Sequence, residues 1–338
     1  GHRDHLRLEV SVLSTLQKLS ATTEVRALEV FTDDGATHVR PRTWVQDGDL
    51  VSTDSEAASD PQREPLNSYP ALRQCIEKHD IRATASMRKG HHTLWLPVWM
   101  HDKVSTCLEI TQSRPFSAHK LDVIQGIFHV YQNYQSLLDY SERDALTGLL
   151  NRKTFDEQFS RSTADSLARR VRPATTGLAV DEEASCCEPP VEQWLAVVDV
   201  DHFKQVNDRF GHLYGDEVLI LIANILRSSF RSHDRIFRSG GEEFVVLLRA
   251  TSLATAHKVF NRFRLAVQEY PFPQVGQVTV SLGFVSTSRG APVEILGQAD
   301  QALYYAKENG RNQVCFYDEL IASGQLKTKV ANDDVELF

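Results

Sequence analysis

Apolar residues at three- and four-residue intervals open the chain. Leu6, Val10, Leu13 and Leu16 predict an amphipathic helix over residues 5–19. The apolar run Val25 to Thr32 predicts a strand, with Asp33-Asp34-Gly35 as the turn after it. Residues 46–66, rich in Asp, Glu, Ser and Pro, are expected to form a surface loop. Leu72, Cys75, Ile76 and His79 return to helical spacing. Leu94 to Trp99 and Val104 to Thr111 then predict a hairpin joined by His101-Asp102-Lys103, with Val104, Thr106, Leu108 and Ile110 on one face. Trp95 and Trp99 share a strand face and are expected in the core.

Ser117 is a suitable N-cap for a helix that runs to about Arg143. Leu121, Ile124, Phe128, Tyr131 and Leu138 keep a 3-4 spacing, with Gln135 as the polar position in it. That stripe predicts a paired helix between two chains, with one amphipathic helix lying on its own domain as the alternative.

From residue 151 onward, helix and strand patterns alternate. Helices are expected over 151–170, 213–230, 252–269 and 293–309, and strands over 194–201, 235–239, 243–249, 278–284 and 313–317. The order β-α-β-β-α-β is that of a ferredoxin-like sheet, so the second half is predicted to be α+β. Residues 171–193, with Pro, acidic residues and Cys186-Cys187, read as an insertion. The predicted divisions are 1–117, a linking helix 118–143, a domain 144–320 and a tail 321–338.

Composition narrows the function. The chain has 338 residues, enough for about two domains. Its net charge of −8 argues against a nucleic-acid polymer as partner. The five cysteines show no zinc spacing, and the longest apolar runs fall short of the roughly 20 residues that span a bilayer. A cytoplasmic location without a membrane span is therefore expected.

The chemistry lies in the second half. Asp199 and Asp201 end an apolar strand, where carboxylates are costly unless neutralised. A hard cation such as Mg²⁺ (or Mn²⁺) would neutralise them, held by one or two carboxylates and substrate phosphates. Glu242 and Glu243 follow Gly240-Gly241, a turn that lets a ligand approach the backbone. If the two strands are neighbours, Asp199 and Glu242 lie side by side. Lys307 and Arg311, four apart, could share one side of a helix, and Lys204 begins another helix, where free N–H groups favour anions. Carboxylates facing cations outline a metal-dependent triphosphate site.

Gly240-Gly241-Glu242-Glu243-Phe244 resembles the signature of the GGDEF family in its Glu-Glu variant. Three further blocks, in order, resemble that family's motifs: Asp144 to Arg152; Asp199-Val-Asp-His-Phe-Lys204 with Asn207, Asp208, His212, Gly215 and Asp216; and Asp300 with Ala306 to Asn312. The resemblance implies a diguanylate cyclase that condenses two GTP molecules into cyclic di-GMP and two pyrophosphates. It implies Mg²⁺ on Asp199, the Val200 carbonyl and Glu242, with Glu243 assisting. Asn207 and Asp216 would read guanine, with His212 near the base. Asp216 accepts hydrogen bonds that guanine can give and adenine cannot, which favours GTP over ATP. The Phe203 and Lys204 backbone, Lys307 and Arg311 would bind phosphates. Glu242 would take the 3′-hydroxyl proton, and Lys204 would stabilise the transition state. A cyclic product needs two attacks, so a homodimer with facing sites is implied. Arg231-Ser-His-Asp234 stands where the family carries an RxxD product-inhibition site, and Arg238 could add a cation there.

Two alternatives stay open. The chain could be a non-catalytic cyclic di-GMP receptor, although Asp199, Gly240, Gly241, Glu242, Glu243 and Lys307 are all retained. The first third resembles a GAF sensory module over residues 5–135, with PAS as the rival, and its ligand is unknown. His91, His92 and His101 are expected as surface residues rather than a metal or haem site, and Cys186-Cys187 as an ordinary thiol pair.

Overall fold

In the computed structural model the chain divides into two units, Gly1–Ser141 and Glu142–Phe338. The structure describes all residues except 1, 34, 47–48, 54–59, 87–90, 101, 161–190, 232–233, 289 and 327–338. Cys186-Cys187, His101 and most of the expected insertion lie outside the described residues.

The first unit is a seven-stranded sheet. Helix α1 (His2–Gln17) leads into β1 (Thr22–Asp33), β2 (Ala36–Gln46), β3 (Asp49–Ser52) and β4 (Glu64–Pro65). Then come α2 (Pro70–Glu77), β5 (Ala83–Ser86), β6 (His92–Met100), β7 (Lys103–Gln112) and α3 (Ala118–Glu142). The strand order is β3-β2-β1-β7-β6-β5, with β4 on β2. Strands β2 and β5 correct the sequence reading, which left both unassigned, and β3 and β4 lie in the expected surface loop. Pro41 and Arg42 blur the alternation of β2, yet β1 pairs with it along most of its length.

A register shift at Val98/Trp99 corrects the expected face of β7. Leu108 and Ile110 pack beside α1 and α3, whereas Val104 packs with Cys107, Trp95 and Leu72 on the other side. Trp95 is buried. Trp99 stacks on His79, and its indole N–H donates to the Asp80 carbonyl.

Helix α3 belongs to the first unit and does not stand apart as a linker. Ile124, Phe128 and Tyr131 are buried beside Leu13, Leu16 and Val25, with Leu121 against them. The residues expected to pair two chains thus cover their own sheet. Gln135 is polar because it is buried and bonded to His5. The opposite side of α3 exposes Val123, Val130, Tyr134, Leu137 and Tyr140.

The second unit holds β8 (Leu150–Asn151), helical residues 152–160 (α4), β9 (Glu192–Val200), α5 (Phe203–Phe210), α6 (His212–Ser229), β10 (Arg235–Gly240) and β11 (Glu243–Thr251). It continues with α7 (Leu253–Glu269), β12 (Val280–Ser286), α8 (Pro292–Glu308), β13 (Val314–Phe316) and α9 (Tyr317–Ala322). The order is β13-β12-β9-β11-β10-β8, and the four central strands form the expected βαββαβ core. Alternation divides the core into two layers. Ala196, Val198, Phe244, Val246, Val280, Leu282 and Phe284 face α6 and α7. Leu195, Val197, Val245 and Val285 face α4, α8 and α9. Glu192 and Gln193, expected in the insertion, begin β9, and Leu320, the last residue of the expected domain, is buried.

Among the described residues no helix is long and apolar enough to cross a membrane.

Candidate functional site: an acidic sheet edge beside a glycine hairpin

Strand β9 runs through the middle of the sheet and carries Asp199 to its end. Asp199 is 4% exposed and lies opposite Glu243 of β11 and Ser281 of β12. Directly opposed residues on antiparallel strands share a face, so Asp199 and Glu243 both look toward α8. The two-residue turn consists of Gly241 and Glu242, closed by the Gly240–Glu243 pair. Gly241 has φ +45°, which glycine adopts without strain. Glu242 therefore occupies the turn itself, half-buried, and its carbonyl accepts from the Val200 N–H at 3.4 Å.

Helix α8 completes the edge. Gly283 lets it lie close to the sheet: a β-carbon there would come within 2.2 Å of the Ala299 carbonyl oxygen and the Leu303 nitrogen. The docked helix brings the Lys307 ammonium to 2.8 Å from Asp199 Oδ2. It also brings Asp300 within electrostatic reach of Glu243 and Lys307.

Four carboxylates thus gather around one ammonium. Burial raises the Asp199 pKa; Lys307 opposes the rise, and Glu243 and Asp201 add to it. Burial and then Asp199 raise Glu242, and burial and then Glu243 raise Asp300. The cluster holds more negative charge than its surroundings neutralise. Among the described residues no group of three or more His, Cys, Asp or Glu side chains is arranged to hold a metal ion. The surplus charge fits a hard cation, but Lys307 stands in its place on Asp199.

Asp201 serves the backbone. It accepts hydrogen bonds from Thr279 Oγ1 and Ser281 Oγ, both 2.7 Å, and from the Asn312 N–H at 3.0 Å. These bonds fix the loop that carries Arg311. The sequence placed Lys307 and Arg311 one helical turn apart, but α8 ends at Glu308. Gly310 adopts φ +110°, and the Arg311 N–H bonds back to the Ala306 carbonyl, which closes the helix end. Arg311 therefore leaves the helix axis and is exposed.

After Asp201 the chain turns at His202, φ +58°, into α5. Phe203 is buried, Lys204 is exposed, and the first N–H groups of α5 follow the strand end directly. Helices α5 and α6 meet at Gly211. Gly215 lets Asn207 nestle against α6, since a β-carbon there would lie 2.0 Å from Asn207 Oδ1. Asp216 and His212 are exposed on the same helix. Asn207 thus packs on Gly215, the sequence neighbour of Asp216.

Asp144 and Arg238 form a brace that the sequence did not foretell. Asp144 Oδ1 accepts from the Thr147 N–H and hydroxyl and from Arg238 Nη1 at 2.9 Å. Arg238 also donates to the Gly241 carbonyl through Nε and Nη2. Arg238 therefore ties the Asp144 turn to the glycine hairpin, and it does not join Arg231 and Asp234, which precede the other end of β10. The Asp234 carboxylate accepts from the Arg231 and Arg249 N–H groups. A cavity of about 230 Å³ beside them is lined by Arg231, Asp234, Arg249 and Arg262. Arg249 and Arg262 lie on β11 and α7, and only the fold brings them to Arg231.

His91 and His92 belong to no metal-binding group among the described residues.

A ferredoxin-like sheet whose acidic edge faces a Gly-Gly hairpin defines the class of domain, and the comparisons supply its family. Residues 178–313 match the family model described as diguanylate cyclase, GGDEF domain. The second unit thus carries a GGDEF domain. It is 41% identical over 175 residues to diguanylate cyclase DgcP of Pseudomonas aeruginosa, covering 51% of this chain and 23% of that protein. It is 32% identical over 305 residues to the response regulator PleD of Caulobacter vibrioides, covering 82% of this chain and 63% of that one. It therefore spans less than two thirds of each of these relatives. It is also similar, at 25% identity and a TM-score of 0.49, to the solved coiled coil and GGDEF domain of DgcB from Caulobacter crescentus in complex with c-di-GMP, covering 59% of this chain and 97% of that one.

Proposed function

We propose that the chain is a diguanylate cyclase that joins two GTP molecules into cyclic di-GMP. The observation that carries this is the crowding of Asp199, Glu242, Glu243 and Asp300 around the one ammonium of Lys307, beside a hairpin open to a ligand. Four negative groups at a sheet edge are costly unless a cation enters with the substrate.

A divalent cation, Mg²⁺ or Mn²⁺, would be held by Asp199, the Val200 carbonyl and Glu242, with Glu243 nearby; it would acidify the attacking hydroxyl and offset phosphoryl charge. The chain's own groups do the positioning. Lys307, released from Asp199, turns to the phosphates together with Arg311. The N–H groups at Phe203 and Lys204 receive a phosphate oxygen at the start of α5. Asn207 and Asp216 bind the guanine edge, with His212 beside them. Glu242 accepts the 3′-hydroxyl proton, and the Lys204 ammonium meets the charge that develops at the phosphorus. Burial and then Asp199 raise the Glu242 pKa, which makes its carboxylate a stronger proton acceptor.

One site holds one GTP, so two copies must face each other. The exposed Val123, Val130 and Leu137, at seven-residue intervals on α3, suit pairing of two chains. We read the first unit as a GAF-like sensory module, supported by a sheet covered by α1 and α3 on one side and partly by α2 on the other. Product binding at Arg231 and Asp234 is supported by the arginine-lined cavity there.

The test is pyrophosphate release from GTP with Mg²⁺, wild type against Glu242→Gln. Turnover in the wild type and its loss in the variant are expected. A folded, dimeric wild type that binds cyclic di-GMP without turning over GTP would instead establish the receptor reading.

A further inference from the structure

One row of side chains crosses the sheet of the first unit. Trp44 of β2 lies opposite Arg26 of β1, Arg26 opposite Glu109 of β7, and Glu109 opposite Trp95 of β6. Directly opposed residues share a face, so the row reads aromatic, cation, anion, aromatic. Glu109 is 4% exposed. Arg26 donates to its Oε1 through Nε at 2.7 Å, and Trp95 Nε1 donates to its Oε2 at 2.8 Å. The other side of the sheet is covered by α1 and α3. On this side α2 covers only one end, over Leu28, Val39 and Cys107. The other end is a cavity of about 960 Å³ with this row as its floor.

The walls of the cavity have a definite chemistry. Tyr69 stands edge-on to Trp95, ring centroids 6.4 Å apart and planes at 90°, and Trp44 lines the cavity with them. Glu24 and Glu64 stand exposed at the mouth, with Glu24 3.6 Å from Arg26. Among the described lining residues, Glu24, Glu64 and Glu109 against Arg26 leave a charge of −2 before His91 at the rim is counted. The one guanidinium is already engaged by carboxylates. An anionic ligand would meet like charge at the mouth and no uncommitted cation on the floor. A purely apolar ligand would desolvate the rim carboxylates without compensation. A cation over aromatic faces, with carboxylates beyond them, gains from both.

We propose that this cavity binds an organic cation, a protonated or quaternary amine carrying an apolar body. The body lies on Trp44, Tyr69 and Trp95, and the ammonium points to Glu24 and Glu64. The size fits a small-molecule site, which typically measures about 300–1,000 Å³. The proposal does not depend on the cyclase reading, because the binding it describes needs neither GTP nor a metal.

The experiment titrates the full chain with tetramethylammonium, spermidine and cyclohexylamine, and with citrate and cyclic AMP as anions. Intrinsic tryptophan fluorescence and the melting temperature are the readouts. At least one amine is expected to saturate below about 1 mM and to raise Tm, and the anions to do neither. Glu24→Gln combined with Glu64→Gln should weaken that amine about tenfold, with an unchanged circular dichroism spectrum. Both side chains are exposed, so the fold is not at stake. Trp44→Leu should reduce the fluorescence response, with Trp95 of the same cavity reporting the remainder. Failure of every amine to saturate below about 1 mM, saturation by cyclic AMP or citrate instead, or amine binding untouched by the double glutamine variant would each overturn the proposal.

Discussion

The two units treat buried acid in opposite ways. In the first, each deeply buried carboxylate among the described residues is paired with an arginine: Glu9 with Arg42, Asp60 with Arg40, Glu109 with Arg26. Burial would lower Arg42 and Arg26, but the paired glutamates outweigh it and raise both. Tyr131 adds its hydroxyl to Glu9 at 3.2 Å. In the second unit Asp199 shares one lysine with three other carboxylates, and burial and neighbouring acids raise its pKa. The paired charges hold elements together. The crowded ones are an unfinished arrangement that a ligand's cation would complete. On the proposed function, stability belongs to the first pattern and activity to the second, and each can be tested separately.

The largest expected effect is at the crowded edge. Asp199→Asn should lower pyrophosphate release from GTP by at least about a thousandfold. The same variant should melt at an unchanged or higher temperature, because the fold disfavours the charge that is removed. A lower melting temperature would show that Asp199 is a structural ion-pair member like Glu9.

The next effect belongs to the paired unit. Arg42→Met leaves Glu9 buried without its cation and should cost about 2–4 kcal/mol of unit stability, read by urea unfolding. Adding Glu9→Leu should recover most of it. If the double variant is no better than the single one, the charge pair is not what matters there.

A smaller effect separates recognition from chemistry. Gly215→Ala pushes Asn207 away from α6 and should raise KM for GTP about tenfold with kcat little changed. Equal loss in kcat would place Asn207 in the chemical step.

The smallest concerns the brace. Burial opposes ionisation of Asp144, but the bonds from Thr147 and Arg238 outweigh it and hold the pKa below the usual carboxylate range. Its contribution is therefore complete above the ordinary value of 3.8 and lost as pH falls through the depressed one. Asp144→Asn should cost about 1 kcal/mol at neutral pH, since the side chain is 23% exposed and the ion pair is partly screened by solvent. It should also flatten the acid limb of the stability–pH curve, and an unchanged limb would mean that Arg238 alone holds the hairpin.

By itself the sequence determined the alternation of Val278, Val280, Leu282 and Phe284, the glycine hairpin, the acids at the end of β9, the helix at 118–142 and the family motifs. These are local: periodicity, turn chemistry and spacing act within one element. It left β2 unread because Pro41 and Arg42 break the pattern. Only the tertiary structure decided which face of α3 was free, that Arg238 braces Asp144, that Asp300 joins the acidic edge, and that Trp44, Arg26, Glu109 and Trp95 stand in one row. Each of these depends on strand order and helix docking between residues far apart in the chain, where burial and charge are settled together.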